Sequence, residues 1–185
     1  MAGSRARTRA GRPLAIADAG RAKGARGTMP ARSVRATQAT ALVAAARRGR
    51  EQAVAPFSGF KVGAALEAEN GSVVTGCNVE NASYGLTMCA ERVAVFKAVS
   101  EGHRTFRRIA VIADTRDPTP PCGACRQILW EYGGDLEVIL ANLGGITGRW
   151  RMSELLPVPF DSGVLASVPP LASGPRRRRS RAARR

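Results

Sequence analysis

The 185-residue chain has a single histidine, His103, and few aromatic residues, which make up 5% of its composition. One histidine excludes a metal site built from several histidines, and it permits a Ser-His-Asp triad only if His103 is the base. No hydrophobic run approaches the ~20 residues that a membrane-spanning helix needs. We therefore expect a soluble protein without membrane partners, whose chemistry depends on other residue types.

Acidic residues are also scarce, since 14 Asp and Glu stand against 29 Lys and Arg and give a formal net charge of +15. Residues 1–30 and 161–185 each hold seven basic residues and one aspartate, whereas residues 31–160 hold 15 basic and 12 acidic residues. A nucleic-acid-binding domain would carry its basic stripe on the folded part. We interpret residues 1–31 and 162–185 as disordered Arg-rich tails around one domain at 32–161. We interpret the charge of these tails as that of solvated chain ends, and nonspecific binding of nucleic acid through them is the alternative.

The central segment alternates helical and strand patterns. Apolar residues at helical spacing over 39–46, followed by Arg47, Arg48 and Gly49, predict a helix that ends at the glycine. Two strand patterns, 62–68 and 73–79, flank Asn70-Gly71, which is typical of a tight hairpin turn. Further elements are a helix from about 89 to 100, a buried strand at 109–113, a helix at 122–132 and a strand at 136–140. This order predicts an α/β fold with helices on both faces of the sheet.

Three of the four cysteines are placed at the starts of predicted helices. Cys89 lies two residues before Glu91, and Cys122 and Cys125 form a C-x-x-C pair directly after Pro121. Free backbone N–H groups and the helix dipole stabilise thiolates at such positions. Three thiolates leave one zinc coordination position for water, which is the catalytic pattern. A carboxylate two residues after a ligand can approach that water and shuttle its proton.

The fourth cysteine, Cys77, is the alternative fourth ligand. It precedes Asn78 in a predicted strand, so its side chain points away from the face that Asn78 and Glu80 share. If that face looks into the site, Cys77 is a buried apolar residue instead. A redox dithiol or a structural zinc knuckle is the usual interpretation of a C-x-x-C pair alone. The additional Cys89-x-Glu91 pair favours a catalytic site instead.

With these motifs in place, the chain resembles the cytidine and deoxycytidylate deaminase family, in particular its short homotetrameric cytidine deaminases. The similarity extends from about residue 38 to residue 160. It rests on the runs VGAAL at 62–66, TGCNVENASY at 75–84, CAER at 89–92, PCGACRQ at 121–127 and ELLP at 154–157. The resemblance implies a three-layer α-β-α sandwich around a mixed sheet of about five strands.

The resemblance also implies the chemistry of the site. One Zn²⁺ per chain is held by Cys89, Cys122 and Cys125. Zinc-bound hydroxide attacks pyrimidine C4, and Glu91 carries protons to N3 and to the leaving amino group. Arg92 is expected to hydrogen-bond a ligand sulfur and offset the negative charge of three thiolates on zinc, and Arg126 is a weaker candidate for this role. Cytidine and 2′-deoxycytidine would become uridine and deoxyuridine, with release of ammonia.

The substrate contacts are likewise implied by position. Asn78 and Glu80 match a pair that hydrogen-bonds the ribose 3′-hydroxyl. The other expected contacts are Phe60 and Phe160 against the pyrimidine, Tyr84 across a subunit boundary, and Ala90 next to the catalytic glutamate. Phe57 stands where many relatives have tyrosine, which removes one hydroxyl from the packing around the site.

Other functions remain open at this point. One is deamination of another cytosine nucleoside such as blasticidin-S, and a further one is a non-catalytic zinc module with RNA-binding basic tails. A polynucleotide deaminase would need a basic groove on the folded part, which the near-neutral centre does not favour. The resemblance implies pyrimidine salvage and a homotetramer. Reduced cysteines without an export signal predict a cytoplasmic protein.

Overall fold

A computed structural model describes residues 31–166 of the chain. Five strands lie in the order β2-β1-β3-β4-β5, in which only β3 and β4 are parallel neighbours. In chain order the elements are α1 (Ala31–Glu51), β1 (Val62–Ala68), β2 (Val73–Cys77), α2 (Ala90–Ser100), β3 (Phe106–Ala113), α3 (Gly123–Gly133), β4 (Glu137–Asn142), β5 (Gly145–Arg151), α4 (Met152–Leu155) and α5 (Ser162–Ala166). Residue 31 of the first predicted tail falls in α1, and residues 162–166 of the second form α5, so a helix stands where a disordered tail was predicted. The remaining tail residues, 1–30 and 167–185, lie outside the described residues.

The sheet separates two apolar cores. On one face, α1 buries Leu42 and Ala46 against strand residues such as Ala65. On the other face, α2 and α3 bury side chains including Val95 against strand residues such as Leu66. Successive strand residues point to opposite faces, so each strand supplies both cores. This is the predicted three-layer α-β-α sandwich around a mixed sheet of five strands, and the prediction is confirmed.

Two glycines allow the helices to approach the sheet closely. A Cβ at Gly63 would lie 2.1 Å from the carbonyl oxygen of Ala46 in α1. A Cβ at Gly76 would lie 2.3 Å from the carbonyl oxygen of Ala90, the first residue of α2. Only glycine fits at such distances. The contact at Gly76 therefore fixes where α2 begins, and with it the position of the cysteine that precedes the helix.

The structure corrects several predicted boundaries. Helix α1 continues through Gly49 to Glu51 and does not end at the glycine. Gly49 instead allows α1 to pack closely on β2, because a Cβ at this position would lie 2.8 Å from the Gly76 carbonyl oxygen. Strand β2 ends at Cys77, before the predicted end at 79. Val79 does not continue the hairpin, because it forms isolated β-bridges with Val54 and Met88. Strand β5 was not predicted. Within residues 31–166, no helix combines the length and apolarity that crossing a bilayer requires.

Candidate active site

The three cysteines of the predicted metal site come together at one end of the sheet. Cys89 directly precedes α2, Cys122 directly precedes α3, and Cys125 lies in the first turn of α3. Their sulfur atoms all lie within 4.8 Å of one another, and Cys89 and Cys122 are separated by 3.9 Å. Tetrahedral zinc with Zn–S bonds of about 2.3 Å places its sulfurs about 3.8 Å apart. The trio therefore fits one zinc ion.

The electrostatics of the thiols also suit a cation. A hydrogen bond from Cys125, with further stabilisation by Arg92, lowers the pKa of Cys89 to about 5. The same hydrogen bond, together with burial, raises the pKa of Cys125. Without a cation the group thus favours one thiolate, because like charges this close oppose one another. If these cysteines held a divalent ion, its charge would stabilise all three as thiolates, with release of their protons to solvent.

Arg92 lies beside the sulfur trio, as the resemblance implies. Its Nη2 donates to the Thr87 carbonyl oxygen at 2.8 Å and to the Cys89 sulfur at 3.6 Å. The Arg92 Nε is buried and has no acceptor among the described residues. Arg126, the weaker candidate, instead donates to the carbonyl oxygens of Pro121 and Leu155, each at 2.8 Å. It therefore holds the segment that precedes the second ligand pair, and within residues 31–166 it donates no hydrogen bond to a sulfur.

Glu91 is the buried carboxyl group of the site. It lies in the first turn of α2, and its residue surface is only 5% exposed. Burial raises its pKa to about 7, and the negative charge of Cys89 adds to the upward shift. A carboxyl group with a pKa near neutrality can both accept and donate a proton under physiological conditions. These are the properties that a proton shuttle requires.

Asn78 directly follows β2, and its side chain and that of Cys77 have different partners, in line with the predicted opposite orientation. Asn78 is buried, and its Oδ1 accepts a hydrogen bond from the Val62 N–H while its Nδ2 donates to the Phe60 carbonyl oxygen, both at 2.8 Å. The Cys77 thiol points elsewhere and donates to the Gln52 carbonyl oxygen at 3.3 Å. Cys77 is thus outside the sulfur trio, but it is half-buried and hydrogen-bonded, so the expectation of a buried apolar residue is wrong. Asn78 is tied to the backbone that leads into β1.

Glu80 is held by a loop that precedes β1. Its Oε2 accepts the N–H groups of Phe57 at 2.8 Å and Ser58 at 3.2 Å, and its Oε1 accepts the Ser58 hydroxyl. These bonds, that of the Ser58 hydroxyl first, lower the pKa of Glu80. The carboxylate is therefore ionised and acts only as an acceptor. It lines a cleft of ≈ 420 Å³ together with Phe57, Ser58, Tyr84 and Thr87.

The structure brings only one of the remaining predicted substrate contacts, Tyr84, to this cleft as the described residues form it. Tyr84 lines it and is 75% exposed, with its ring centroid 6.0 Å from that of Phe57 in an edge-on arrangement. Phe60 and Phe160 are exposed but do not line the cleft, and Ala90 is fully buried. The Phe160 carbonyl oxygen accepts the Gln127 Nε2 at 2.6 Å, which ties the C-terminal segment to α3.

Sequence reasoning missed two residues of this cleft, Ser58 and Thr87. Thr87 connects the cleft to the metal end, because it lines the cleft and its carbonyl oxygen binds Arg92. Ser58 lies in a loop whose local turn signals are Pro56 and the neighbouring Gly59, which adopts a φ of 67°. Such a glycine predicts a turn but does not say which side chains the turn will contact.

Comparisons with known proteins agree with this geometry. The model of the cytidine and deoxycytidylate deaminase zinc-binding region matches residues 36–141. A cytidine deaminase from Sporosarcina psychrophila is 51% identical over 126 residues, which are 68% of this chain and 93% of the relative. The crystal structure of a cytidine deaminase from Burkholderia pseudomallei superposes with a TM-score of 0.63 at 52% identity, and the match covers 65% of this chain and 97% of that one.

The alternative functions, a blasticidin-S deaminase and a non-catalytic zinc module, receive less support from these comparisons. Blasticidin-S deaminase from Bacillus cereus is 29% identical over 107 residues, which are 54% of this chain and 76% of that protein, so it is a more distant relative. The matched family region contains Glu91 as well as the three cysteines, which removes the basis for a non-catalytic zinc module. The protein belongs to the cytidine and deoxycytidylate deaminase family of zinc-dependent hydrolases.

Proposed function

We propose that the protein hydrolyses cytidine and 2′-deoxycytidine at C4, giving uridine or deoxyuridine and ammonia. The observation that carries this proposal is the sulfur trio next to the buried Glu91, at the end of the sheet where the cleft of Glu80 opens. The cytidine deaminases to which the chain is similar support the same substrate class, because the chain covers more than nine-tenths of their length.

Cys89, Cys122 and Cys125 would hold the zinc ion. When bound, zinc supplies a Lewis acid that makes water a nucleophile at neutral pH. Glu91 takes up a proton of the attacking water, delivers one to pyrimidine N3 and later protonates the leaving amino nitrogen. Its raised pKa suits both directions of transfer. Arg92 stabilises the thiolate charge of Cys89 through its contact with the sulfur.

The sugar is bound by the polar pair that follows β2. Glu80 accepts a hydrogen bond from the ribose 3′-hydroxyl. The Asn78 Nδ2 uses one of its two hydrogens for the Phe60 carbonyl oxygen and donates the other to the same ribose hydroxyl. An ionised Glu80 repels a 3′-phosphate, so the site favours free nucleosides over polynucleotides. Phe60 and Phe160 pack against the pyrimidine, while Tyr84 lies across the subunit boundary and Ala90 lies beneath the base.

The cleft opens onto an apolar surface that suits a homotetramer. Its exposed side chains include Phe57 and Tyr84, which line the cleft, Leu86 in the same turn as Tyr84, and Val54, whose carbonyl oxygen accepts the Glu80 N–H. A second exposed pair, Phe96 and Tyr132, lies on α2 and α3 with ring centroids 6.2 Å apart. Two apolar surfaces on one chain fit the two kinds of interface that a dimer of dimers needs. Uridine production and free thiols fit pyrimidine salvage in the cytoplasm.

The direct test is to incubate the purified protein with cytidine and to follow the loss of aminopyrimidine absorbance and the release of ammonia. Zinc per chain and the mass of the assembly are measured on the same sample. We expect turnover of cytidine and deoxycytidine, one zinc per chain and a tetramer. Turnover of blasticidin-S equal to that of cytidine, or activity only on single-stranded polynucleotides, would overturn the proposed substrate.

A further inference from the structure

We infer that Ser58 is a positioning residue that sets the orientation of the Glu80 carboxylate toward the sugar. This inference rests on the role proposed above for Glu80. Ser58 lies 22 residues before Glu80 and outside the sequence runs on which the family resemblance rests, the first of which begins at residue 62. The two meet because the loop between α1 and β1 folds over the chain segment that leaves β2.

The hydrogen bonds around Ser58 have a fixed direction. Its Oγ accepts the N–H group of Phe60 at 2.9 Å, so the single hydroxyl hydrogen is available for Glu80. That hydrogen is donated to Oε1 of Glu80. The backbone N–H groups of Phe57 and Ser58 bind the other oxygen, Oε2. The carboxylate is therefore held at both oxygens by residues of one short loop.

The two oxygens of Glu80 are held differently. Oε2 receives two backbone donors, which a side-chain substitution leaves in place, whereas among the described residues Oε1 receives only the Ser58 hydroxyl. Removing that hydroxyl lets the carboxylate rotate about its anchored oxygen. A carboxylate whose plane is fixed presents its remaining lone pair in one direction. We therefore expect Ser58 to determine how well a sugar hydroxyl is met, and to have little effect on the chemistry at C4.

The same serine also connects the sugar contact to Phe60. Without the hydroxyl, the Phe60 N–H loses its acceptor, so an effect of Ser58→Ala could reach the base through this ring rather than through Glu80. The two routes differ in what they require of the substrate. Only the route through Glu80 depends on a 3′-hydroxyl.

The experiment compares cytidine with 3′-deoxycytidine in the unaltered protein and in Ser58→Ala, Ser58→Thr and Ser100→Ala. Ser100 is the matched control, because it is an exposed serine whose hydroxyl also donates one hydrogen bond, at 2.7 Å to the Lys97 carbonyl oxygen. For Ser58→Ala we expect kcat/KM on cytidine to fall about 10-fold or more, mainly through KM, as the loss of a hydrogen bond to a charged group implies. On 3′-deoxycytidine the same variant should lose less than about 3-fold.

Ser58→Thr keeps a hydroxyl and should recover most of the loss, and Ser100→Ala should match the unaltered protein. Equal losses of Ser58→Ala on both substrates, or no recovery with threonine, would overturn the inference and leave the proposed function intact. Zinc content and the circular dichroism spectrum confirm that each variant is folded. If the unaltered protein turns over both substrates equally well, both this inference and the sugar role of Glu80 fail, whereas absence of cytidine turnover by that protein overturns the proposed function itself.

Discussion

The two ends of the sheet treat their polar side chains in opposite ways. At the metal end, three thiols crowd together, Glu91 is buried without a salt bridge, and the Arg92 Nε has no acceptor among the described residues. At the other end, four arginines each pair with an acid. These pairs, which are the salt bridges of residues 31–166, are Arg107–Glu69, Arg108–Glu67, Arg149–Glu137 and Arg151–Asp135.

The difference shows which end is complete by itself. Buried polar groups without partners raise the free energy of the folded state, and buried charges persist only when they are paired or bind a metal. At the arginine end the buried charges, Arg108 and Glu67, satisfy that condition by pairing with each other, and the other three pairs are more exposed to solvent. The metal end satisfies it only when a cation neutralises the thiolates, so its stability should depend on zinc and that of the other end should not.

The largest expected effect comes from removing one ligand at the metal end. In Cys122→Ala we expect zinc to be lost and cytidine turnover to disappear, because two thiolates cannot complete the three-sulfur site. The matched control is Cys77→Ala, whose thiol donates to a backbone oxygen away from the trio. Zinc analysis and activity on the same samples check both variants. Zinc retained by Cys122→Ala, or lost by Cys77→Ala, would contradict the assignment of ligands.

The next effect separates a reactive carboxyl group from a structural one. Glu91→Gln should keep zinc and the fold but lower kcat by about 10³-fold or more, because the amide cannot carry a proton in either transfer. Glu137→Gln is the control, since this carboxylate pairs with Arg149 at the opposite end. It should leave kcat unchanged. Steady-state kinetics with measured zinc content test the contrast, and near-normal kcat in Glu91→Gln would refute the role of that residue.

The same division explains what could be predicted from the sequence. The three clustered cysteines and Glu91 could be predicted because each cluster is local in sequence and lies at the start of a predicted helix. In the structure, Cys89 and Cys122 do directly precede α2 and α3. The hairpin was accessible because Asn70-Gly71 is a turn signal, and Gly71 does adopt a φ of 88°. In both cases, the helix starts and the hairpin turn, residues close in the sequence indicate the local backbone conformation.

Features that depend on residues far apart in the sequence could not be predicted. Strand β5 has the sequence GITGRWR, whose two glycines and two arginines obscure the alternation of a strand, and its pairing with β4 defines it instead. The buried pair Arg108–Glu67 joins residues 41 apart in the chain, and the Ser58–Glu80 bond joins residues 22 apart. No local pattern specifies such partners, because the topology of the sheet brings them together.

A smaller effect tests burial within the arginine end. In Arg108→Ala the buried Glu67 loses its ion partner, and we expect the free energy of unfolding to fall by about 3 kcal/mol. In Arg107→Ala the exposed Glu69 stays hydrated, so we expect a much smaller loss than in Arg108→Ala. The two pairs differ in side-chain exposure, at 8% and 11% for Arg108 and Glu67 against 50% and 58% for Arg107 and Glu69. Urea unfolding of the zinc-loaded proteins at equal concentration measures both. Equal losses would show that burial does not distinguish these pairs.

The smallest effect is a pH dependence at the same end. Asp135 accepts the Ser153 N–H at 2.8 Å and pairs with Arg151, and these contacts lower its pKa. A lowered folded-state pKa stabilises the fold above the unfolded value of about 3.9, and this stabilisation disappears as the pH falls through the folded value. Asp135→Asn should therefore cost on the order of 0.5 kcal/mol at pH 7, as expected for an exposed pair, and the difference between the two proteins should vanish in more acidic solution. Because zinc leaves both proteins in acid, urea midpoints of the pair are compared at each pH, and a difference that grows on acidification would contradict the assigned direction of the pKa shift.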